Sequence, residues 1–450
     1  MMALVFLDAL FLLGLFYIFT FVRQMGLGVP ERFWPTLLLP LGWVIVVLPL
    51  VGGYSLDTNM RGLNYAGEHL IAVIVSFFLT IISIYSFTFE PAYQFSRSVL
   101  PLSFFTFFFL SLSYRRAIYS WLNPYQEKRF FLILGAGNMA REVFLDCIDS
   151  GIKQTFRVLD SSNRNVGGRL CGPESPVIEG QPITQFESLN GLHDAVIIAD
   201  DRRKLNHELV ESLINCHFNG TPILSVEKFY ENYLNRIPSA FVHPQLLLRE
   251  GFDFPRNPVF ENIKRFIDIL FSTAALGLSS PLFIFIPLLI RLESQGPVFF
   301  RQERTGKNNA SFHLIKFRTM VTDSANGPVC TEKSDPRITR VGKWLRTLHL
   351  DELPQLWNVL MGQMSMIGPR PEQTRLTRIY ERQFFCYRFR HLVKPGITGW
   401  AQVNYAYGED LNDALKKFEY DLYYIRHFSF MMDATIVLKT ASQIVMGRGR

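Results

Sequence analysis

Residues 264–291 read KRFIDILFSTAALGLSSPLFIFIPLLIR, and this stretch decides how the chain is arranged around a membrane. It is long enough to cross a bilayer, since a spanning α-helix needs about 20 apolar residues. Its middle holds Ser279, Ser280 and Pro281, and a proline removes a backbone donor and bends a helix. We predict a re-entrant helix over 261–292 that enters the membrane, breaks at Ser280 and Pro281 and returns to the same face. A kinked spanning helix is the alternative.

Downstream of this stretch, Asp351 and Glu352 are adjacent carboxylates framed by Arg346 and Arg370. They directly precede a short apolar run, 353–360, so we predict that Asp351 is the N-cap of a helix. A phosphate there would meet free backbone N–H groups and the positive end of the helix dipole. Two carboxylates beside a phosphate need compensating cations, which indicates a Mg²⁺ ion held by both. An N-cap aspartate and a surface glutamate without catalytic function are the alternative.

The last third of the chain carries the excess positive charge. The whole chain has 46 Lys and Arg against 39 Asp and Glu, and all of the excess lies beyond residue 300. Arg337, Arg340, Lys343 and Arg346 recur every three residues, which predicts an amphipathic basic helix suited to an anionic membrane surface. A solvated helix face is equally compatible with this spacing. Nucleic acid is a poor fit as a partner, because the basic residues adjoin membrane segments and no recognition motif is present.

The first 115 residues have the composition of a membrane domain. Of the whole chain, 48% is hydrophobic and 14% aromatic, and the apolar residues are concentrated in blocks. We predict a four-helix transmembrane region over 1–115, with spans at roughly 3–22, 36–51, 69–89 and 97–114. Four spans leave both ends on one side, and Arg115, Arg116, Lys128 and Arg129 indicate that this side is cytoplasmic. Asp8, inside the first span, is predicted to be a helix-packing or interfacial residue, with a proton carrier as the alternative.

Residues 128–255 change to a soluble α/β pattern. The run RFFLILGAGNMAREVFLDCI, 129–148, predicts a strand, a glycine turn and a helix, and a second strand ends in Asp160. Together they are similar to a Rossmann opening, with residues 135–140 as the phosphate turn. Glycines there also permit a tight turn with nothing bound, so nucleotide binding stays open. No Tyr-x-x-x-Lys pattern follows, which removes the usual catalytic pair of short-chain-type sugar dehydratases.

Six further pieces of sequence occur in one order: RLESQGPVFFRQERTGKN, FHLIKFRTM, SDPRITRVGKWLR, LDELPQLWNVLMGQMSMIGPRPE, KPGITGWAQVNY and KFEYDLYYI. From about residue 261 onward the chain thereby resembles the bacterial sugar transferases, the polyprenyl-phosphate phosphoglycosyltransferases with a re-entrant membrane helix. The preceding spans and Rossmann-like domain resemble the large membrane-bound, exopolysaccharide-type members. In one departure, many members have Thr-Ser where this chain has Leu348 and His349. The role of His349 stays open between a general base and a packing or phosphate-contact residue.

The resemblance implies a fold, a location and an activity. The fold is a membrane α-helical bundle, a Rossmann-like α/β domain and a monotopic, mainly helical α/β phosphoglycosyltransferase catalytic domain with a re-entrant helix; the catalytic part covers 293–450. It would face the cytoplasm from the bacterial inner membrane, in a multi-pass chain. The activity would be transfer of a hexose-1-phosphate from a UDP-sugar to undecaprenyl phosphate with release of UMP. The product would start an exopolysaccharide or another surface glycan.

The same resemblance assigns roles to the acidic pair. Asp351 would be the nucleophile that attacks the β-phosphorus and holds an aspartyl-phosphosugar, which the lipid phosphate then displaces. A carboxylate nucleophile divides one displacement between two anions into two steps. Glu352 would help to place Mg²⁺ and to orient Asp351. Arg346, close to the membrane-facing stripe, would bind the lipid phosphate.

Further substrate-binding residues follow from the matched motifs. Arg370, Lys316 and Arg318 would grip the diphosphate, because guanidinium groups bind it in a bidentate manner. Lys394 would help to frame the nucleotide-sugar pocket in KPGITGW. Trp400 in that motif is either part of the pocket or an aromatic residue at the membrane interface.

Asp421, in the sixth matched piece of sequence, corresponds to a family carboxylate, and the resemblance assigns it to substrate binding. From the sequence alone it is equally an ion-pair partner of Lys417 within one helix.

Two other classes of function remain open. One is a nucleotide-sugar-modifying, NAD-dependent enzyme that uses the Rossmann-like domain. The other is a non-catalytic membrane scaffold of a polysaccharide complex. The sugar cannot be named, because donors that differ at one hydroxyl are distinguished by pocket shape. Homodimerisation through the spans and the middle domain is a further hypothesis.

Overall fold

The computed structural model describes residues 2–23, 34–54, 60, 62–87, 98–122, 130–152, 154–160, 166–180, 193–199, 207–239, 258–321, 335, 337–384, 386–405 and 411–445. They belong to two compact units, the first made of Met1–Pro124 and Phe428–Gly449 and the second of Tyr125–His427. The helices are α1 Met2–Arg23, α2 Trp34–Val47, α3 Leu63–Phe87, α4 Val99–Leu122, α5 Asn138–Asp149, α6 His207–Phe218, α7 Val226–Phe229, α8 Pro258–Ser279, α9 Leu282–Glu293, α10 Arg340–Thr347, α11 Gln355–Leu360, α12 Thr374–Gln383, α13 Trp400–Asn404, α14 Leu411–Arg426 and α15 Phe430–Val445. The strands are β1 Phe130–Leu134, β2 Thr155–Leu159, β3 Ile178–Glu179, β4 His193–Ile198, β5 Ile223–Ser225, β6 Phe299–Thr305, β7 Ser311–Phe317, β8 Ser365–Ile367 and β9 Gly396–Thr398.

In the first unit, helices occur at all four predicted spans. Two stretches are long and apolar enough to cross a membrane, the whole of α1 and Tyr65–Ile84 within α3. A shorter apolar stretch, Leu38–Val51, covers most of α2 and the turn that follows it. Membrane association is therefore built into this unit by length and composition.

A buried ion pair joins α1 to α4. Arg115 Nη2 lies 2.6 Å from Asp8 Oδ2, and both side chains are fully buried. The Tyr54 hydroxyl donates to the same carboxylate at 2.6 Å. Asp8 is thus a packing residue, as predicted, since a buried charge requires a partner. The prediction that Arg115 is a cytoplasmic cation just after the fourth span was wrong, because Arg115 is buried within α4. Lys128 and Arg129 lie outside the described residues.

The last helix, α15, belongs to the first unit and packs against α3. Gly67 permits the close approach, because a Cβ at this position would lie 2.6 Å from Thr435 Oγ1. The predicted catalytic segment, 293–450, therefore includes a helix that packs with the N-terminal helices instead. Sequence patterns do not show this, since an apolar helix face does not identify its partner.

The second unit begins with a parallel sheet of strand order β3-β2-β1-β4-β5. Successive side chains of β1 point to opposite faces, so Phe131 and Ile133 pack with α5, whereas Leu132 and Leu134 pack towards α6. This arrangement gives a three-layer α/β/α domain, as the strand and helix pattern predicted. Residues 240–257, at the end of the predicted domain, lie outside the described part of the chain.

The two glycines of the turn between β1 and α5 differ in environment. Gly135 has a φ of 111°, a conformation that L-residues with side chains rarely adopt. A Cβ at Gly137 would meet no atom within 4 Å. Asp160, at the end of β2, is 3% exposed. The backbone therefore explains Gly135 without a ligand, while the space at Gly137 leaves the nucleotide question open.

Helices α8 and α9 form the broken membrane helix. They meet at a bend of 59°, and the break falls at Ser280 and Pro281, where the sequence places it. Two hydroxyl groups cover the end of α8: Ser279 donates to the Ala275 carbonyl at 2.6 Å and Ser280 to the Gly277 carbonyl at 2.8 Å. The bend is compatible with both a re-entrant helix and a broken span.

The chain after α9 builds the region that carries the acidic pair. Strands β6 and β7 form an antiparallel hairpin, and β8 pairs with β9 in parallel. The basic helix α10 begins at Arg340, with the Thr339 hydroxyl accepting from the Gly342 N–H at 2.9 Å. Arg337 precedes this helix and pairs with Asp335, so the predicted basic stripe is one residue shorter than expected.

Candidate active site

Asp351 and Glu352 lie in a 3₁₀ turn, Leu350–Glu352, between α10 and α11. The prediction that Asp351 caps a helix was wrong, because α11 starts at Gln355 and Pro354 occupies its N-cap position. His349 starts the turn in the left-handed conformation, with a φ of 54°. Both carboxylates are nonetheless buried, with 6% of Asp351 and 9% of Glu352 exposed.

Two cations hold the Glu352 carboxylate. Its Oε1 accepts from Lys316 Nζ and from the Arg370 guanidinium, each at 2.7 Å. Burial alone would raise the pKa of Glu352, but Arg370 and then Lys316 outweigh it and bring the pKa well below the usual range of a glutamate. Glu352 is therefore an anion with a fixed orientation next to Asp351.

Strand β7 places Lys316 beside Glu352, and Asn358 fixes that strand to α11. The Asn358 amide donates to the His313 carbonyl at 2.7 Å and accepts from the Ile315 N–H at 3.1 Å. Burial lowers the pKa of Lys316, and the neighbouring Glu352 partly opposes this shift. Each bond to Glu352 uses one donor of a side chain that has three in lysine and five in arginine.

Arg370 lies in the GPRP turn, which a buried arginine holds in place. Arg390 Nη2 donates to the Arg370 carbonyl at 2.7 Å, and its Nε donates to Asp421 Oδ2 at 2.7 Å. Burial raises the pKa of Asp421, and Arg390 partly opposes this shift. Asp421 is thus the hydrogen-bonded ion-pair partner of Arg390 across the fold, whereas the sequence suggested Lys417 within one helix.

Three motif glycines allow two segments to lie against each other. A Cβ at Gly396 would lie 2.1 Å from the Gly368 nitrogen, and one at Gly399 would lie 2.1 Å from the Gly368 oxygen. Gly368 itself faces the Lys394 carbonyl, which a Cβ would approach to 2.4 Å. The GPRP and KPGITGW motifs therefore require glycines because their backbones pack directly against each other.

Arg346 and Arg318 lie at the joint between α9, β7 and α10. Arg346 Nε donates to the Thr319 hydroxyl at 2.9 Å. Arg318 donates to the Ser294 carbonyl at 2.7 Å and to the Gln295 carbonyl at 2.9 Å. Arg318 therefore fixes the chain that leaves α9, which differs from its predicted role in gripping a diphosphate.

Lys394 has its own charged neighbours. A Cβ at Gly362 would lie 3.5 Å from the Arg265 guanidinium and 3.7 Å from Lys394 Nζ, so the two cations flank the same turn. Burial and then Arg265 lower the pKa of Lys394, while Asp268 partly opposes this shift. The structure thus groups Lys394 with the start of α8, whereas it groups Lys316 and Arg370 with the acidic pair.

Trp400 is buried inside the second unit, so the prediction of an aromatic residue at the membrane interface was wrong. It is 1% exposed, and its indole Nε1 donates to the Asn235 carbonyl at 2.9 Å. Its ring stacks on Tyr423 with centroids 5.8 Å apart. The Tyr423 hydroxyl also donates to Asn235 Oδ1, at 3.1 Å. The KPGITGW motif is therefore joined to the turn that ends the middle domain.

The acidic pair is suited to one kind of magnesium site. Within the described ranges, no three His, Cys, Asp or Glu side chains cluster as a metal cage. Mg²⁺ is commonly bound by one or two carboxylates together with substrate phosphates and water. Asp351 and Glu352 would supply the two carboxylates of such a site, and the substrate would complete the coordination of the ion.

Sequence patterns did not indicate several residues that shape this site. Arg390, Asn358 and Glu293 each act on a backbone segment at least 20 residues away in the chain. Of these three, Arg390 alone had a local indication, the basic run RFRH that ends two residues before the KPGITGW motif.

Comparison with known proteins gives consistent matches. A family model for bacterial sugar transferases matches residues 259–447. The chain is 44% identical over 330 residues to a UDP-glucose:undecaprenyl-phosphate glucose-1-phosphate transferase of Escherichia coli (strain K12). The aligned region covers 71% of this chain and 68% of that protein. The chain is also 42% identical over 260 residues to a UDP-N-acetylgalactosamine-undecaprenyl-phosphate N-acetylgalactosaminephosphotransferase of Aeromonas hydrophila. Here the aligned region covers 57% of this chain and 60% of that protein. An exopolysaccharide production protein of Rhizobium leguminosarum bv. phaseoli is 42% identical over 195 residues, 98% of its length.

Proposed function

Because the chain belongs to the bacterial sugar transferase family, we propose that it transfers a hexose-1-phosphate from a UDP-sugar to undecaprenyl phosphate, with release of UMP. The observation that carries this proposal is the buried acidic pair, in which Glu352 is tied to Lys316 and Arg370 beside Asp351. The activities after which the relatives are named support the class of reaction. They differ in the sugar, so the donor of this chain is left to experiment.

We propose two displacements at one phosphorus. An Asp351 oxygen attacks the β-phosphorus of the UDP-sugar, the bond to the bridging oxygen breaks, and UMP leaves with the electron pair. An oxygen of the lipid phosphate then attacks the same phosphorus, and the Asp351 carboxylate leaves. The product is undecaprenyl-diphospho-sugar. Positioning and charge compensation carry most of the catalysis of phosphoryl transfer, which suits a rigid, cation-lined site.

The surrounding charges have distinct proposed roles. Glu352, held by two cations, orients Asp351 and keeps it apart from Lys316. Lys316 and Arg370 bind diphosphate oxygens. A magnesium ion on Asp351 and Glu352 would neutralise charge on the phosphates. Arg346 binds the lipid phosphate, and Lys394 contributes from the side of α8.

The membrane arrangement is part of the same proposal. We infer that α8 and α9 form a re-entrant helix, because a lipid-linked acceptor and a soluble donor must reach one site from the cytoplasmic face. The strand order of the middle domain supports a Rossmann-like assignment. The product would start an exopolysaccharide or another surface glycan, from the bacterial inner membrane. Homodimerisation stays a prediction, and native mass measurement in nanodiscs tests it.

UMP release by purified protein in native nanodiscs tests the activity. The reaction contains Mg²⁺, undecaprenyl phosphate and one UDP-sugar from a panel. Wild type is compared with Asp351→Asn and with Glu303→Gln, a change at an exposed carboxylate on β6. We expect release with one or a few sugars, loss in Asp351→Asn and normal rates in the control. Absence of release with every sugar would favour the scaffold or the NAD-dependent alternative.

A second readout tests the covalent step. Wild type is incubated with the active UDP-sugar without lipid acceptor, and the peptide that contains Asp351 is analysed by mass spectrometry. We expect an added phosphosugar that disappears when undecaprenyl phosphate is supplied. UMP release that requires the lipid, with no adduct at any time, would refute the two-step mechanism while leaving the overall transfer intact.

A further inference from the structure

Glu293, the last residue of α9, binds the first turn of α10. Its Oε1 accepts from the Arg340 N–H at 2.7 Å and its Oε2 from the Val341 N–H at 2.9 Å. Both oxygens of one carboxylate are therefore used on two backbone donors that a helix start leaves without partners. A carboxylate at this end is also favoured by the helix dipole. Helix α9, the second half of the broken membrane helix, is thus hydrogen-bonded to α10, the helix that carries Arg346.

An apolar contact reinforces this joint and extends it to the catalytic turn. Ile286 and Ile290 of α9 are buried in one cluster with Leu345 of α10. Leu350 and Leu353, the two residues that flank the acidic pair, pack against the same cluster. The apolar cluster therefore joins α9 to α10 and borders the turn that holds Asp351.

Helix α10 also lies against Thr319, which contacts both its first turn and Arg346 near its end. A Cβ at Gly342 would lie 2.1 Å from the Thr319 carbonyl oxygen, so this helix lies directly on the chain after β7. Arg346 donates to the Thr319 hydroxyl at 2.9 Å. Because one side of α10 is fixed on Thr319 and its start on Glu293, these two contacts together determine where the helix lies relative to the membrane arm.

We propose that Glu293 is a positioning residue that sets Arg346 at the depth where it meets the phosphate of the lipid acceptor. This inference rests on the proposed function and adds a residue through which the membrane helix acts on the second displacement. The acidic pair has separate supports, Lys316 and Arg370, on β7 and the GPRP turn. Loss of the Glu293 carboxylate therefore weakens use of the lipid acceptor more than the attack on the UDP-sugar.

The test separates the two displacements. Wild type, Glu293→Ala, Glu293→Asp and the control Glu303→Gln are compared in nanodiscs for the KM of undecaprenyl phosphate, the KM of the UDP-sugar and adduct formation without lipid. A carboxylate at a helix start contributes enough for a rise of about five- to tenfold in the KM of the lipid acceptor in Glu293→Ala. The KM of the UDP-sugar and the adduct rate should change less than about twofold. Glu293→Asp should recover part of the loss.

A double-variant cycle shows whether Glu293 acts through Arg346. If it does, Glu293→Ala adds little to the rise in lipid KM that Arg346→Ala already causes. Independent, multiplying effects would overturn the proposal, as would equal losses in both displacements or no effect in Glu293→Ala. If wild type itself releases no UMP, the proposed function fails, and the inference falls with it. A normal wild type with an unchanged Glu293→Ala overturns the inference alone.

Discussion

Removal of the Arg390 guanidinium is expected to be costly, since it leaves Asp421 buried without its cation. The side chains of Arg390 and Asp421 are 5% and 1% exposed. Breaking such a pair from one side typically costs about 3 to 5 kcal/mol. Arg390 also donates to the Arg370 carbonyl, so its loss frees the GPRP turn. For Arg390→Ala we expect a fall in Tm on the order of 10 °C together with slower UMP release.

The assay is thermal unfolding in one detergent at one pH, with UMP release measured on the same preparations. Arg390→Ala, Asp421→Asn and the double variant form the decisive set. The double variant has no buried charge at this position, so it should unfold at a higher temperature than Arg390→Ala alone. Arg390→Lys keeps the charge but loses the planar fork, and an intermediate Tm is expected. A Tm of Arg390→Ala within about 2 °C of wild type, or strictly additive effects in the double variant, would refute this reasoning.

Three further predictions use other contacts. Glu352→Gln removes a carboxyl whose pKa lies below its ordinary value of 4.5. The unfolding free energy of wild type should therefore exceed that of the variant by a constant amount above about pH 4.5 and by less below it. Denaturant unfolding at several pH values measures this difference, and a difference that grows on acidification would contradict the prediction. Trp400→Phe removes the indole donor to Asn235 and should lower the unfolding free energy by about 1 kcal/mol. Tyr423→Phe is the matched control for the second contact to Asn235. An unchanged denaturant midpoint of unfolding in both variants would argue against these contacts. Gly396→Ala places a Cβ 2.1 Å from the Gly368 nitrogen, so we expect poorly folded protein or lost UMP release. The control Gly137→Ala should fold normally, because no atom lies within 4 Å of the added Cβ. Normal activity of Gly396→Ala would show that the GPRP and KPGITGW motifs do not lie in contact.

Local features of the fold could be predicted because their causes lie within a few residues. The break at Ser280 and Pro281 follows from a proline and two hydroxyl groups in one apolar stretch. Strand β1 follows from five consecutive apolar residues bounded by a glycine. Both patterns determine structure through backbone bonding and burial alone.

Contacts between distant residues could not be predicted in the same way. Arg318 looked like a phosphate ligand in IKFRTM, but it binds carbonyl groups 23 and 24 residues earlier. Arg115 looked like a loop cation, but its partner Asp8 lies 107 residues away. The turn at Asp351 was misassigned because a 3₁₀ turn at Leu350–Glu352 precedes the helix, which begins only at Gln355.

The contact between Trp400 and Asn235 also bears on how such chains can be recombined. Arg236, the next residue, pairs with Glu419 at 3.1 Å and with Asp146, so the middle domain and α14 share one buried network. An exchange of the middle domain alone would leave an indole N–H and the Glu419 carboxylate buried without these partners. We therefore expect Tyr125–His427 to behave as one cooperative folding unit and as one unit of evolutionary exchange. Viable chimaeras should carry their junctions at its ends and not between the sheet and the catalytic helices.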